Sequence, residues 1–157
     1  MAVSSENIKN SYPLPVYNYR VEIGSDAVSF SEVSGLSIGY ETYTYKESPV
    51  ESGVPGPRVM HMPAQSTQPT ITLKKGVVRS TSLATLFEWI NSIQINQVEK
   101  RDIFVRLCDE NGDAVISWKV INAFPTKLDA PTFDANSNDA AIESMELTAD
   151  RILMEEG

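Results

Sequence analysis

The stretch from Asp102 to Phe124 reads DIFVRLCDENGDAVISWKVINAF, and its spacing constrains the fold more than any other part of the chain. Ile103, Val105 and Leu107 recur at every second position, as do Ile116, Trp118 and Val120, with DENG between the two runs. A period of two places each set on one face of an extended strand, and a short polar, glycine-bearing turn between two such runs predicts an antiparallel hairpin.

The same period appears elsewhere. VYNYRVEI (Val16 to Ile23) and VSFSEV (Val28 to Val33) are rich in β-branched and aromatic residues and are separated by GSDA, a second hairpin signal. Ser37 to Glu47 and TITLKKGVV (Thr70 to Val78) read as further strands. Ile142 to Ile152 is assigned as strand over a rival helix, because Glu143, Met145, Leu147 and Ala149 form a mostly apolar alternate set and a sheet-rich chain needs a closing partner. A helical period occurs once, at Leu83, Leu86, Phe87 and Ile90 behind the cap residues Ser80, Thr81 and Ser82, and predicts a helix over about 82–93. The sum is mainly β, with about seven strands, one helix and no internal repeat: an antiparallel β-barrel or sandwich.

Two segments stand apart. Residues 1–15 are polar, end in Pro13 and Pro15, and read as an N-terminal arm. Residues 48–69 carry Pro49, Pro55, Pro57, Pro63 and Pro69, and proline removes the donor that a helix interior or a central strand requires. The expectation there is an extended loop of roughly twenty residues, a length that in compact domains usually serves a function. One stretch resists the pattern. In YETYTYKE (Tyr40 to Glu47), Tyr40, Thr42, Thr44 and Lys46 point one way and Glu41, Tyr43, Tyr45 and Glu47 the other, so neither face is plainly apolar or plainly polar.

With 157 residues, 41% of them hydrophobic, the chain suffices for one domain, 1–157, with a substantial core. A formal net charge of -8 argues against wrapping nucleic acid by neutralising phosphates. Cys108 is the single cysteine, so no intrachain disulfide and no multi-cysteine zinc site can form. The N-terminus lacks the apolar run of a secretory signal, and no stretch of about 18 apolar residues is present to span a membrane. The expectation is a chain assembled in the cytoplasm.

Residues suited to catalysis or cofactor binding are scarce. His61, the one histidine, sits in MHMP inside the proline-rich segment with no second histidine or cysteine near it in sequence. A serine triad lacks another base of the usual kind. DENGDA and DANSND space oxygens as a calcium loop would, but Ala114 and Asp139 stand where the sharp-turn glycine belongs, and Val120 and Met145 where the bidentate glutamate belongs. No glycine-rich phosphate loop occurs. Adjacent carboxylates such as Asp109 with Glu110 and Glu155 with Glu156 read as solvated charge. The expectation is no enzyme, no metal and no cofactor. The rival reading is a soluble β-domain enzyme or ligand-binding protein with a cleft assembled by the fold.

Three pieces in order, EVSGL (Glu32 to Leu36), ITLKKGV (Ile71 to Val77) and LFEWIN (Leu86 to Asn91), resemble the tail-tube family of contractile phages and extracellular contractile injection systems. Their sequence of strand, break, long segment, strand and tryptophan-bearing helix follows that family from about Tyr17 to Ile152. Each piece also has a local explanation, Gly35 as a turn and Trp89 as a residue flanking the apolar stripe of its helix. The segment after the first long strand departs from the family pattern, which there often carries a glycine-rich acidic piece and a basic one ending in proline and glycine.

The resemblance implies a structural subunit: homo-hexameric rings that stack into a hollow tube, which a contracting sheath drives through a target envelope. It implies as partners a sheath protein, baseplate, spike and terminator proteins, and protein or DNA cargo in the lumen, with a type VI secretion tube as the related alternative. On that basis Ile38 to Glu47, paired with Thr70 to Lys75, is expected to line part of the lumen. Tyr43 and Tyr45 are expected to lose exposure on ring assembly. The loop, through Glu51, Arg58, Met60, His61 and Met62, is expected to reach the neighbouring subunit or ring. The acidic balance suggests a negative channel that repels acidic cargo.

Overall fold

The structure, a computed structural model, describes residues 2–157. Ten strands carry it: β1 (Tyr19–Ile23), β2 (Asp26–Val28), β3 (Glu32–Ser34), β4 (Tyr40–Glu47), β5 (Arg58–Ser66), β6 (Thr70–Gly76), β7 (Arg101–Cys108), β8 (Ala114–Asp129), β9 (Ile142–Thr148) and β10 (Arg151–Glu156). All pairings are antiparallel. The mainly β, antiparallel expectation holds, with more and shorter strands than the sequence suggested.

The DIFVRLC hairpin forms as read. Ile103 lies opposite Val120, Val105 opposite Trp118 and Leu107 opposite Ile116. DENG turns because Asp109 Oδ1 accepts from the backbone N–H of Asn111 at 2.9 Å and of Asp113 at 3.0 Å, while Gly112 takes φ +81°. An aspartate that caps its own turn in this way explains the polar spacing without a cation.

Strand β8 is long enough to serve two sheets. Its first half lies between β7 and β10, in the order β2-β1-β7-β8-β10, and its second half begins the order β8-β9-β6-β3. The corner falls at Asn122, whose φ of +55° asparagine tolerates better than most residues. Its N–H donates to Asp102 Oδ1 at 3.0 Å and its side-chain amide to Asp150 Oδ2 at 2.8 Å. The expected strand Ile142 to Ile152 is therefore two strands that bend with β8. Ile152 still faces Val120 and Leu147 faces Pro125, one unbroken register across the corner.

The core lies between these sheets. Val21, Ile23, Ile71, Leu73, Ile103, Val120, Met145 and Leu147 are all buried. Each such side chain contributes roughly 1.5–3 kcal/mol relative to exposure. The Tyr19 hydroxyl at the core's margin donates to the Phe30 carbonyl at 2.6 Å, and burial, aided by the Glu32 charge, raises its pKa above the ordinary phenol value.

The helix starts earlier and turns differently from the expected 82–93. Residues Arg79–Thr81 (α2) and Glu88–Asn91 (α3) are α-helical, but Ser82–Phe87 between them forms a π-turn. The wider turn shifts the phase of the stripe. Leu86 and Trp89 are buried, Leu83 and Phe87 are exposed, and the Trp89 Nε1–H donates to the Glu99 carbonyl at 2.8 Å. Trp89 is thus an anchor of the helix rather than a flanking residue. The N-terminal arm also holds a helix, α1 (Ser5–Ser11), capped by Ser4 and contributing no buried residue.

The proline-rich segment 48–69 is not a loop throughout, because Arg58–Ser66 is strand β5. Pro63 is admitted since β4 and β5 form a two-stranded sheet, in which each strand has an open side and needs no donor there. The irregular part is 48–57, the tip of a hairpin, together with the short link 67–69. The expected pairing of Ile38 to Glu47 with Thr70 to Lys75 is accordingly replaced: β4 pairs with β5, and β6 pairs with β3 and β9.

Gly35, in EVSGL, has φ +86°, and a Cβ there would lie 2.1 Å from the Thr70 carbonyl oxygen. Gly35→Ala is expected to lower unfolding stability by roughly 2–3 kcal/mol in urea titration. An unchanged midpoint would contradict the close approach of these two backbones.

Candidate assembly surface

Pairing along EVSGL and ITLKKGV continues past the sheet. Glu32 faces Lys74 and Ser34 faces Thr72 within the sheet. Beyond Gly35 the same register resumes, with the Thr67 N–H donating to the Gly39 carbonyl at 2.9 Å and Tyr40 facing Ser66. Strands β3–β4 and β5–β6 are therefore one long ribbon, its base in the core-bearing sheet and its far end a two-stranded sheet of its own. A two-stranded ribbon is marginally stable by itself in water.

The ribbon sorts the mixed residues of YETYTYKE into two distinct faces. Cross-strand partners share a side, so Tyr43 and Met62, Tyr45 and Met60, and Glu47 and Arg58 lie together on one face. Thr42 with Pro63, Thr44 with His61, and Lys46 with Val59 lie on the other. The partner strand supplies the sorting that β4 alone lacks. The Tyr43 hydroxyl donates to Met62 Sδ at 3.3 Å, and Thr44 Oγ1 lies 3.1 Å from His61 Nδ1. An Arg58–Glu47 ion pair closes the aromatic face at its tip.

The identity of each face follows from the base of the ribbon. Along β6 and the turn before it, Leu73, Ile71 and Pro69 are buried, while Thr70 and Gln68 are exposed. The extra residue of the shift between Tyr40 and Thr42 falls on β5, so when that alternation is continued to Ser66, across to Tyr40 and along β4, the Thr42–Thr44–Lys46 face prolongs the sheet's outer side. The Tyr–Met face prolongs the core side. Tyr43 is 50% exposed, Tyr45 53% and Met62 47%, so this prolongation of the core side is uncovered. Where the ribbon leaves the sheet, a groove lined by Ile38, Tyr40, Pro69, Leu153 and Met154 runs beside β10. Exposed tyrosine and methionine side chains are thus grouped on one face of the ribbon.

Of the seven residues singled out in the sequence, the structure brings together Tyr43, Tyr45, Arg58, Met60 and Met62. His61 sits on the opposite face, and Glu51 lies exposed at the hairpin tip, where its carbonyl accepts from the Val54 N–H at 3.4 Å. Two features were missed. Leu83 and Phe87 are exposed on the helix because of the π-turn. Lys75 and Glu143 are buried opposite each other on β6 and β9, with Lys75 Nζ 3.8 Å from Glu143 Oε1 and bonded to the Gly76 carbonyl at 2.7 Å. The signal for the first of that pair was available, since Lys75 shares the parity of Ile71 and Leu73. Among the described residues no group of three or more His, Cys, Asp or Glu side chains is placed to hold a metal ion.

Comparison with known proteins agrees with this geometry. The family model of the T4-like virus tail tube protein gp19 matches residues 15–153. A solved chain from an extracellular contractile injection system, the PVC sheath-tube complex in the extended state, is 43% identical with a TM-score of 0.88, covering 99% of this chain and 100% of the other. A chain from the anti-feeding prophage tube-terminating cap is 40% identical, TM-score 0.85, with 100% of both chains covered. One from the PVC sheath/tube terminator in the extended state is 45% identical, TM-score 0.82, covering 92% of this chain and 98% of the other. No curated protein matches. A β-ribbon that carries its core side beyond its own core, in a chain matched along nearly its whole length, places this protein in the T4-like tail tube family as a tube structural subunit.

Proposed function

We propose that the chain, one domain with an N-terminal arm, forms hexameric rings that stack into the inner tube of an extracellular contractile injection particle. The sheath encloses that tube, and baseplate, spike and terminator proteins bound its ends. Assembly takes place in the cytoplasm, and the work is mechanical rather than catalytic. The similarity to sheath-tube and terminator chains at 40–45% identity supports this setting.

The uncovered Tyr–Met face carries the reading. A cyclic ring is closed by a heterologous contact, in which one patch of each subunit meets a different patch of the next. Tyr43 and Tyr45 each offer about 150–250 Å² to such a contact and keep their hydroxyls for a polar rim. Overhanging the subunit's own core, the ribbon lays its core side on the neighbouring copy. The neighbour then supplies the packing that a two-stranded sheet lacks. The tip, with Glu51 and its prolines, reaches the adjoining subunit or ring. Proline there limits the freedom lost on docking.

Electron microscopy of the protein co-expressed with its sheath and baseplate neighbours is expected to show rings and tubes; a monodisperse monomer in their presence would contradict the proposal. The double substitution Tyr43→Ser, Tyr45→Ser removes side chains already half exposed in the monomer. Monomer stability is expected to stay within about 1 kcal/mol of the parent, while tube yield falls by about tenfold or more. Parental tube yield from that variant would show that this face is not the ring contact.

A further inference from the structure

With the ring-contact reading of the Tyr–Met face as its basis, we infer that Met62 is a reversible oxidation site, through which hydrogen peroxide controls whether a free subunit enters the tube. The thioether lies on the Tyr–Met face of the ribbon, opposite Tyr43. Met62 is 47% exposed, so a small oxidant reaches its sulfur in the free chain without any opening of the fold. In the assembled tube the same face rests on the next copy, and the sulfur is closed off.

The Tyr43 hydroxyl sets Met62 apart. It donates to Met62 Sδ at 3.3 Å, which places a proton donor beside the atom that reacts. In the oxidation, a lone pair of the thioether sulfur attacks one oxygen of hydrogen peroxide. The O–O bond breaks, and the second oxygen leaves with the bonding pair, takes the proton of the first and departs as water. Sulfur is oxidised to the sulfoxide and the peroxide is reduced. A thioether is a weak acceptor, whereas the oxygen that forms on the sulfur carries negative charge and accepts strongly. The hydroxyl already aimed at the sulfur therefore stabilises the product.

The other methionines with described surroundings differ. Met145 is buried on β9, opposite Leu73 and Leu128. Met60 is half-buried opposite Tyr45, and Met154 is exposed on β10, opposite Trp118 and outside the β4–β5 pairing. Among the described residues, Met62 is the methionine that is both exposed and met by a donor.

Desolvation turns this chemistry into a gate. Tyr43 satisfies one lone pair of the sulfoxide oxygen, and the rest of that dipole faces the incoming copy. A polar group buried without a matched partner opposes association. The Tyr43 hydroxyl is also held on its own face and lost to the polar rim of the contact. Methionine sulfoxide reductases restore the thioether. A subunit oxidised before assembly is thus kept out of the tube until it is reduced, and a subunit already in the tube is protected.

Peroxide treatment, peptide mass mapping of sulfoxide, and tube yield with the purified sheath and baseplate neighbours test the site. Met62 is expected to oxidise about tenfold faster in free subunits than in assembled tubes. Tube yield from the oxidised parent is expected to fall by about tenfold and to return after treatment with reductases for both sulfoxide epimers. Met62→Leu exposed to the same peroxide is expected to keep its untreated yield within about twofold. Met62→Gln, permanently polar, is expected to give the low yield without peroxide, at parental monomer stability. In Met60→Leu, Met154→Leu the peroxide loss is expected to persist, which keeps the site testable if Met62→Leu itself assembles poorly.

Equal oxidation of Met62 in tubes and free subunits, an undiminished peroxide loss in Met62→Leu, or its disappearance in Met60→Leu, Met154→Leu would overturn the assignment. Parental yield from the parent oxidised at Met62, while Tyr43→Ser, Tyr45→Ser forms few tubes, would refute the oxidation site alone. Parental yield from Tyr43→Ser, Tyr45→Ser would refute the ring-contact reading beneath it.

Discussion

Gly35 sits against the Thr70 carbonyl, closer than any side chain would allow, and this close approach fixes how β3 meets β6 at the base of the ribbon. The pairing of Ser34 with Thr72 and that of Tyr40 with Ser66 belong to one ladder, and a one-residue shift between Tyr40 and Thr42, its extra residue on β5, then sets Met62 and Met60 beside Tyr43 and Tyr45. Without that extra residue Met62 would face Thr44 and Met60 would face Lys46, and the two sides would be mixed again.

The rest of the subunit holds the base of the ribbon still. Strand β6 is clamped between β3 and β9, and its inner side carries Ile71 and Leu73 and then Lys75, facing buried Glu143. Removing one member of a buried ion pair leaves the other uncompensated, whereas shifting β6 against β9 would separate both. The bend at Asn122 lets β8 turn from one sheet into the other with its register to β10 and the start of β9 kept, while on the β7 side a register shift falls between Arg101 and Ile103. A ribbon rooted in such a sheet keeps a fixed orientation relative to the core.

Much of the fold was legible because alternation was strong where one side of a strand is buried. The hairpin through DENG and the alternate apolar set in Ile142 to Ile152 both survive in the structure. What escaped had a physical reason in each case. The five prolines of 48–69 exclude a helix interior and a central strand, but a two-stranded ribbon with open sides admits Pro63, so the loop expected there is partly strand β5. The Leu83–Phe87 stripe assumed a regular helical period that the π-turn breaks. YETYTYKE was ambiguous because half the information about its faces lies in RVMHMP, its partner, and the choice of Thr70 to Lys75 as partner concealed it. Once Met60 and Met62 are set beside Tyr45 and Tyr43, the aromatic side is evident. Five of the seven candidate contact residues fall together, and His61 departs because it alternates with the two methionines.

The central claim is that the core side of the ribbon is completed by a second copy of the same chain. A cryo-EM map of the assembled tube at side-chain resolution tests it most directly. The account predicts the Tyr43 and Tyr45 rings within about 4 Å of side chains of the adjacent subunit, with Thr42 and Thr44 turned away from that contact. A map in which both tyrosines face open water, or in which the ribbon folds back on its own subunit, would contradict it.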